Sequence, residues 1–186
     1  MIKTLRTLLV VALVALPLAR AAHAKGTAVS ANFNTDPTTK TINGCTGLAY
    51  QLYRYYSAGQ GDHFYTTNFN ELGFGGLGYV IEGTMGSLVS AAFSSCGATP
   101  LYRYYNGSIG DHFYTTSWSE LGAGGSGWSY EGVQGYCFAS PTTGTVPLYR
   151  YYSGGQGDHF YTTNFGELGG GRIGYDFEGV QCYVVP

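Results

Sequence analysis

Leu-Tyr-Arg-Tyr-Tyr at Leu52–Tyr56 and Gly-Asp-His-Phe-Tyr-Thr-Thr at Gly61–Thr67 are the two strings from which the architecture of this chain follows, because each returns twice. The first string begins again at Leu101 and Leu148, at spacings of 49 and 47 residues, and the second follows it each time. A nearly fixed period of this length is typical of repeat architectures. We therefore predict three tandem repeats of about 47 residues.

Each repeat has the pattern of short strands joined by turns. The first string is aromatic and β-favouring, it ends at turn residues such as Asn106-Gly107, and the second string follows directly, so the two form a β-hairpin. An aromatic-x-x-Glu-Gly segment predicts a third strand, and the residues up to the next cysteine a fourth. The fold class is therefore all-β.

A polar residue precedes a glutamate by three positions between the second and third strands. This spacing is typical of a capping box and predicts one short helical turn. The residues involved are Asn68 with Glu71, Ser117 with Glu120, and Asn164 with Glu167.

Three such repeats are expected to close on themselves, since exposed strand edges promote aggregation. A pseudo-threefold β-trefoil accepts three four-stranded units and is the preferred topology. A propeller needs about four blades or more, so the alternative is propeller-like blades completed by dimerisation. The protein is then expected to be a monomer or a dimer.

The chain is predicted to begin with a signal peptide at residues 1–24. Lys3 and Arg6 precede the apolar run 8–19, and Ala22-His23-Ala24 has the form of a cleavage site. The run is too short to span a bilayer, and no later segment approaches that length. We therefore expect a secreted, extracellular protein without membrane insertion.

The predicted mature chain has two parts. Residues 25–48 form a Thr-, Asn- and Gly-rich N-terminal arm that is expected to be loose. Residues 49–186 form a single three-repeat domain, divided at 49–100, 101–147 and 148–186.

The four cysteines are expected to form two disulfides, because an exported chain meets an oxidising compartment. Their spacing contains no Cys-x-x-Cys, which argues against a zinc or redox site. Three pairings are possible. Cys45–Cys182 with Cys96–Cys137 is favoured, because the first bond would join the two ends of a closed fold.

Composition excludes several classes of protein. Only 9 Lys and Arg stand among 186 residues and the pI is near 6.0, so a nucleic-acid partner is not expected. The 30 aromatic residues (18 Tyr, 10 Phe and 2 Trp) and the low charge of 11% exclude a disordered chain.

The strings Leu-Tyr-Arg-x-Tyr, Asp-His-Phe-Tyr-Thr-Thr and Tyr-Glu-Gly, found over residues 50–186, resemble a known family. It is a secreted, Tyr-rich repeat family of unknown function that is often attached to cell-wall-acting hydrolases. Other members typically carry a longer, charged helix where this chain has Glu-Leu-Gly and glycines. The resemblance implies an extracellular binding or wall-associated role and assigns no activity.

Five ionisable residues recur in every repeat, which gives 3 × 5 = 15 in all. One set is expected to form structural ion pairs, because an arginine inside an aromatic strand needs a carboxylate partner. These pairs are Arg54 with Glu82, Arg103 with Glu131, and Arg150 with Glu178. The capping boxes explain the other glutamate of each repeat, which is Glu71, Glu120 or Glu167.

The remaining pair is an Asp-His dipeptide at the mouth of each hairpin. It could serve as turn scaffold, or a carboxylate, an imidazole and nearby aromatic rings could form a shallow sugar site. The candidate carbohydrate-binding residues are Asp62, His63, Asp111, His112, Asp158 and His159.

Catalytic residues, metal and cofactor are not expected. Adjacent Asp and His side chains in a strand point to opposite faces, and no nucleophilic Ser or Cys recurs beside them. A zinc ion on His63, His112 and His159 would require three converging rings. The sequence thus predicts a secreted, multivalent, lectin-like protein whose partners are glycans or cell-wall polysaccharide. The alternatives are a structural or interaction protein of the cell surface, and a cell-wall glycan hydrolase or its accessory.

Overall fold

The computed structural model describes residues 35–186. The predicted signal peptide and residues 25–34 of the predicted arm lie outside the described residues. The described chain is all-β, as predicted, and its 12 strands belong to one antiparallel sheet. Within this part of the chain, no helix has the length and apolarity that a membrane crossing requires.

The strands follow the order of the repeats. The N-terminal part contains β1 Thr38–Ile42, β2 Cys45–Ser57, β3 Asp62–Thr66 and β4 Val80–Val89. The middle part contains β5 Ala98–Asn106, β6 Asp111–Thr115, β7 Gly124–Gly125 and β8 Trp128–Phe138. The last part contains β9 Val146–Ser153, β10 Asp158–Thr162, β11 Gly171–Arg172 and β12 Tyr175–Val184. Helical segments are the 3₁₀ turns Phe69–Glu71 and Ala91–Cys96 and the one-turn helix α1 Trp118–Leu121.

The predicted hairpin is present in each repeat, as β2–β3, β5–β6 and β9–β10. In the first, Tyr56 lies opposite His63 and Ser57 opposite Asp62. Gly61 closes the turn with φ of 75°, and its N–H donates to the Ser57 carbonyl at 2.7 Å. A side chain rarely adopts this backbone conformation, which explains the glycine before each Asp-His.

The predicted loose arm is wrong for residues 38–48. Strand β1 pairs with the beginning of β2 over five residue pairs, from Thr38 opposite Ala49 to Ile42 opposite Cys45. The connecting Asn43 and Gly44 have φ of 51° and 79°. Asn-Gly with two positive φ angles forms the two-residue hairpin turn that matches strand twist, so this dipeptide was the available signal.

The third and fourth strands predicted for the last two repeats are one continuous strand in each, and in the first repeat this strand ends at Val89, before the 3₁₀ turn Ala91–Cys96. β4 pairs with β2 from Val80 to Val89, and register shifts between Arg54 and Tyr55 and between Gln51 and Tyr53 interrupt the pairing without ending it. β8 and β12 are bulged in the same manner. A β-bulge absorbs an extra residue, so the Gly after each Glu does not act as a turn.

The four cysteines form two disulfides, but the favoured pairing is wrong. Cys45 bonds Cys96 and Cys137 bonds Cys182, with Cα separations of 6.1 and 6.0 Å. The first bond joins the 3₁₀ turn Ala91–Cys96 to the β1–β2 hairpin. The second follows the pairing of β8 with β12, where Phe138 lies opposite Tyr183 one residue beyond the cysteines.

The main core is shared by all three repeats. It contains the first Leu of each Leu-Tyr-Arg-Tyr-Tyr string and the Tyr of each Asp-His-Phe-Tyr-Thr string: Leu52, Leu101, Leu148, Tyr65, Tyr114 and Tyr161. Strands β3, β6 and β10 contact one another pairwise. Strands β4 and β8 also approach closely. If Gly135 of β8 had a Cβ atom, that atom would lie 2.7 Å from Leu88 Cβ of β4. The repeats are therefore packed against each other.

Candidate functional site

The six Asp and His residues predicted to bind sugar lie in the interior. Their relative exposures range from 0 to 9%. All five residues of β3, β6 and β10 are buried, so the strands that carry them have no solvent-facing side. The prediction of a shallow site at the hairpin mouth is therefore wrong for the position of these side chains, because all six are buried.

The Asp and His side chains connect different repeats. His63 Nδ1 lies 2.6 Å from Asp158 Oδ2, and the His63 backbone N–H donates to Asp158 Oδ1 at 2.9 Å. His112 makes the same two bonds to Asp62. His159 makes them to Asp111, which closes a cycle of three pairs. Each Asp thus accepts from the repeat that follows it in the cycle, which makes these residues an internal scaffold.

The three aspartates converge. Carboxylate oxygens of Asp62, Asp111 and Asp158 lie within 4.8 Å of one another. These are the residues that could approach a cation. Their oxygens are already used by imidazole and backbone N–H donors, so a cation would have to displace those hydrogen bonds. The cluster therefore fits a structural role.

Two of the three aspartates have a further partner. Tyr79 donates to Asp62 Oδ2 at 2.5 Å, and Tyr175 donates to Asp158 Oδ2. The equivalent position in the middle repeat is Trp128, whose ring packs on Phe113 as the tyrosines pack on their own Phe. In the described part of the chain, no hydrogen bond joins the Trp128 indole to Asp111. Burial raises the pKa of Asp111, and the hydrogen bond from His159 offsets this only in part.

Trp128→Tyr is expected to stabilise the protein by about 1 kcal/mol at neutral pH, since a hydrogen bond to a charged group contributes about 1.5–3 kcal/mol and some apolar area is lost. Because the pKa of Asp111 is raised in the folded protein, ionisation of this residue lowers the free energy of unfolding at pH values above its unfolded pKa of about 3.9. The new phenol lowers that folded pKa, so the gain should be present at neutral pH and shrink below it. Urea unfolding of both proteins at neutral pH and at an acidic pH measures this difference.

The matched control for this change is Tyr175→Phe, which removes the equivalent bond from Asp158. It is expected to destabilise the protein by about 1–3 kcal/mol. A Trp128→Tyr protein that is no more stable than the wild type at neutral pH would contradict the assignment.

A second cycle, which the sequence did not indicate, is made by the tyrosines of strands β3, β6 and β10. Tyr114 Oη accepts from the Tyr65 backbone N–H and donates to the Tyr65 carbonyl, both at 2.7 Å. Tyr161 bonds Tyr114 in the same way, and Tyr65 bonds Tyr161. Burial raises the pKa of all three phenols well above the ordinary value.

The predicted arginine–glutamate pairs are brought together in all three repeats. The Nε–Oε2 distances are 2.8 Å in the first two and 2.9 Å in the third. Each arginine also lies over a Phe of the preceding repeat, at 4.8 to 5.2 Å from the ring centroid. The arginines therefore stand at the junctions between repeats.

The glutamates predicted to complete capping boxes, Glu71, Glu120 and Glu167, do not do so. Glu167 accepts from Arg54 Nη1 and Nη2 at 3.2 Å, and Glu71 accepts from Arg103 in the same way. The backbone N–H at the start of each turn instead donates to a threonine hydroxyl two residues earlier, as Asn68 does to Thr66. Burial opposes ionisation of Glu71 and Glu167, but the arginine bonds outweigh it and lower the pKa of both.

The junction between the second and third repeats differs from the other two. Arg150 Nη2 lies 3.6 Å from Glu120 Oε1, and no bidentate pair forms there. The Arg150 side chain is 18% exposed, against 9% and 10% for its equivalents. A surface cavity of about 180 Å³ opens at this junction.

Exposed aromatic groups form the other prominent surface feature. In the middle repeat, Trp118 lies 5.3 Å from Tyr130 with perpendicular rings, and Tyr102 supports both. In the last repeat, Phe165 and Phe177 lie 5.8 Å apart at 83°. The exposures of these four rings are 45% for Trp118, 37% for Tyr130, 44% for Phe165 and 38% for Phe177.

These observations define an all-β, disulfide-bonded protein with a polar interior network between its repeats and aromatic groups on its surface. The domain of unknown function DUF5648 matches residues 51–185, and the chain belongs to this family. The match agrees with the uncharacterised family that the sequence resembles and carries no information on the repeat signature. No curated protein and no solved structure matches the chain.

Proposed function

We propose that this is a secreted, multivalent carbohydrate-binding protein that holds glycans on exposed aromatic groups, without catalysis. The observation that carries the proposal is the pair of equivalent groups Trp118/Tyr130 and Phe165/Phe177. Large apolar rings grouped on a surface mark interaction sites. Aromatic faces also match the apolar face of a pyranose ring, and Tyr and Trp add polar edges for its hydroxyls.

The groups occupy equivalent places in their repeats. Trp118 and Phe165 lie in the turn that follows β6 or β10. Tyr130 and Phe177 lie in β8 and β12, two residues after Trp128 and Tyr175. In the first repeat the equivalent position in β4 is Ile81, and Phe74 of the glycine-rich segment contacts Phe69 instead. Up to three sites per chain would convert weak single contacts into avidity on a glycan-coated surface.

We further propose that the repeats close about a pseudo-threefold axis. The Asp–His and Tyr–Tyr cycles support this, since each is completed within one chain. A single-chain β-trefoil and propeller-like blades completed by a second chain stay the two predicted topologies. Gel filtration separates them, because a monomer is incompatible with the second.

An extracellular location is part of the proposal. The two disulfides are compatible with an oxidising compartment. The resemblance to a family often attached to wall-acting hydrolases makes cell-wall polysaccharide the expected ligand.

Removal of the exposed rings is expected to release the protein from insoluble wall polysaccharide. Trp118→Ala or Phe165→Ala should each weaken binding about threefold to tenfold, because one aromatic contact contributes about 0.5–1.5 kcal/mol. The double variant should lose about a hundredfold through lost avidity. A pull-down with increasing protein concentration measures the retained fraction.

The matched control is Ile109→Ala, which removes an apolar side chain that is 46% exposed and not aromatic. It should bind as the wild type does, and melting temperatures should confirm that all variants are folded. A double variant that binds as tightly as the wild type would overturn the proposal in favour of a purely structural protein. Release of soluble sugar would favour a hydrolase.

A further inference from the structure

The open junction between the second and third repeats has the composition of a ligand site. At the two closed junctions, arginine and glutamate satisfy each other with two bonds of 3.2 Å. At the open one, the nearest approach of Arg150 Nη2 to Glu120 is 3.6 Å, which is too long for a hydrogen bond. The open junction thus keeps an ion pair between Arg150 and Glu120 but lacks the two hydrogen bonds that join the equivalent groups at the closed junctions.

The sequence explains why this junction alone is open. Asn68 and Asn164 accept a bond from a backbone N–H two residues later at the closed junctions. Ser117 stands at this position in the open junction, makes no such bond and contacts the Ser119 hydroxyl at 2.9 Å. The turn that follows is the helix α1 instead of a 3₁₀ or simple turn, and it carries Glu120.

Arg150 is held back from Glu120 by its own repeat. Its Nη1 donates to Gln181 Oε1 at 2.9 Å, whereas the equivalent distance from Arg103 to Gln134 is 3.4 Å. Gln181 in turn donates to the Thr116 hydroxyl across the junction at 3.1 Å. The guanidinium is therefore held by Gln181 and Glu178 of the third repeat, and Arg150 is one of the residues that line the cavity.

The cavity presents donors and acceptors side by side. Glu120 and Glu178 supply carboxylate oxygens, Arg150 supplies an N–H, and Ser117 and Thr116 supply hydroxyls, all from residues that line it. Two vicinal hydroxyls of a sugar can donate to a carboxylate while accepting from a guanidinium. Two glutamates against one arginine leave the site negative, which disfavours acidic ligands.

The size of the cavity restricts the ligand further. A volume of about 180 Å³ is below the roughly 300–1,000 Å³ of pockets for drug-sized molecules. It admits one sugar ring rather than an oligosaccharide.

We propose that the open junction binds a single neutral sugar residue, presented at a chain end, through vicinal hydroxyls held between Glu120 and Arg150. The inference rests on the proposed function in taking a glycan as the ligand. It differs in its residues and in being present once, where the aromatic groups are repeated.

Titration with free glucose, galactose, mannose and N-acetylglucosamine, followed by ¹H–¹⁵N NMR, tests the site. At least one of these sugars should shift the side-chain signals of Arg150 and Gln181. Glu120→Gln should weaken that binding about tenfold to a hundredfold. Glucuronic acid should bind more weakly than glucose.

Glu71→Gln is the matched control, because Glu71 occupies the same position in a closed junction. It should leave sugar binding unchanged. Ser117→Asn gives the open junction the asparagine of the closed ones, and it should weaken binding about tenfold without lowering the melting temperature. This variant keeps the test valid if Glu120→Gln fails to fold.

The outcomes separate this inference from the proposed function. No shift with any neutral sugar, equal losses in Glu120→Gln and Glu71→Gln, or preference for glucuronic acid would overturn the junction site. Retention on polysaccharide without monosaccharide binding would overturn the junction site alone. Monosaccharide binding by a wild-type protein that polysaccharide does not retain would support the junction site and overturn the aromatic one.

Discussion

The His63→Ala/His112→Ala/His159→Ala protein is expected to be unfolded at neutral pH. Each imidazole pairs with a buried carboxylate of another repeat. Removal of one partner of a buried pair costs about 3–5 kcal/mol, because the buried carboxylate then loses its imidazole partner. Three such losses, about 9–15 kcal/mol, match the whole stability of an ordinary domain, about 5–15 kcal/mol. Loss of the β signal in far-ultraviolet circular dichroism would show this.

Single variants make the effect measurable. His159→Ala is expected to lower the free energy of unfolding by about 3–5 kcal/mol in urea titrations. Gln156→Ala, in the exposed turn of the same hairpin, should change it by about 0.5 kcal/mol or less. A triple variant with the wild-type unfolding midpoint and no glycan binding would return these histidines to a binding role.

Sequence reasoning predicted the local structure well, because the repeated strings carry local signals. The hairpin between Leu52–Tyr56 and the Asp-His strand follows from β propensity and from the glycine before Asp62. The pairing of Arg54 with Glu82 follows from the cost of a lone charge in an aromatic strand. These inferences need only neighbours in one repeat.

What the sequence could not give is the depth of each strand and the partners between repeats. A strand that is covered on one side only exposes alternate side chains, and a shallow site at the hairpin mouth requires Asp62 or His63 to be among them. Strand β3 is instead buried on both faces, since β6 and β10 cover its second side. The one available signal was that Asp, His and Tyr recur without change in all three copies.

The same limit applies to the open junction. Ser117 stands where the other repeats have Asn68 and Asn164. All three are small polar residues, so the sequence alone predicts the same capping role for each. Only the distance from Arg150 to Glu120 shows that one junction has lost its bidentate pair. The site that departs from the repeat is therefore visible in the structure and not in the pattern.

Tyr114→Phe is expected to destabilise the protein by about 2–6 kcal/mol without creating a cavity. The hydroxyl serves both the N–H and the carbonyl of Tyr65. Its loss leaves two buried backbone groups unpaired, at about 1–3 kcal/mol each. Tyr104→Phe is the control, because that hydroxyl makes one bond, to the Gly122 carbonyl at 2.8 Å, and should cost about 0.5–1.5 kcal/mol.

Tyr114→Phe is also expected to change how the free energy of unfolding depends on pH under alkaline conditions. Burial keeps the Tyr65, Tyr114 and Tyr161 phenols protonated in the folded state, where their pKa is raised, while the unfolded chain loses these protons near pH 10. Stability is therefore fully present below about pH 10 and falls as the pH rises above it, by about 1.4 kcal/mol per pH unit for each buried phenol. Tyr114→Phe removes one of the three protons, so its urea stability should fall less steeply by that amount. Equal slopes for the two proteins would mean that the Tyr114 hydroxyl ionises in the folded state, which its place between two backbone groups of Tyr65 does not allow.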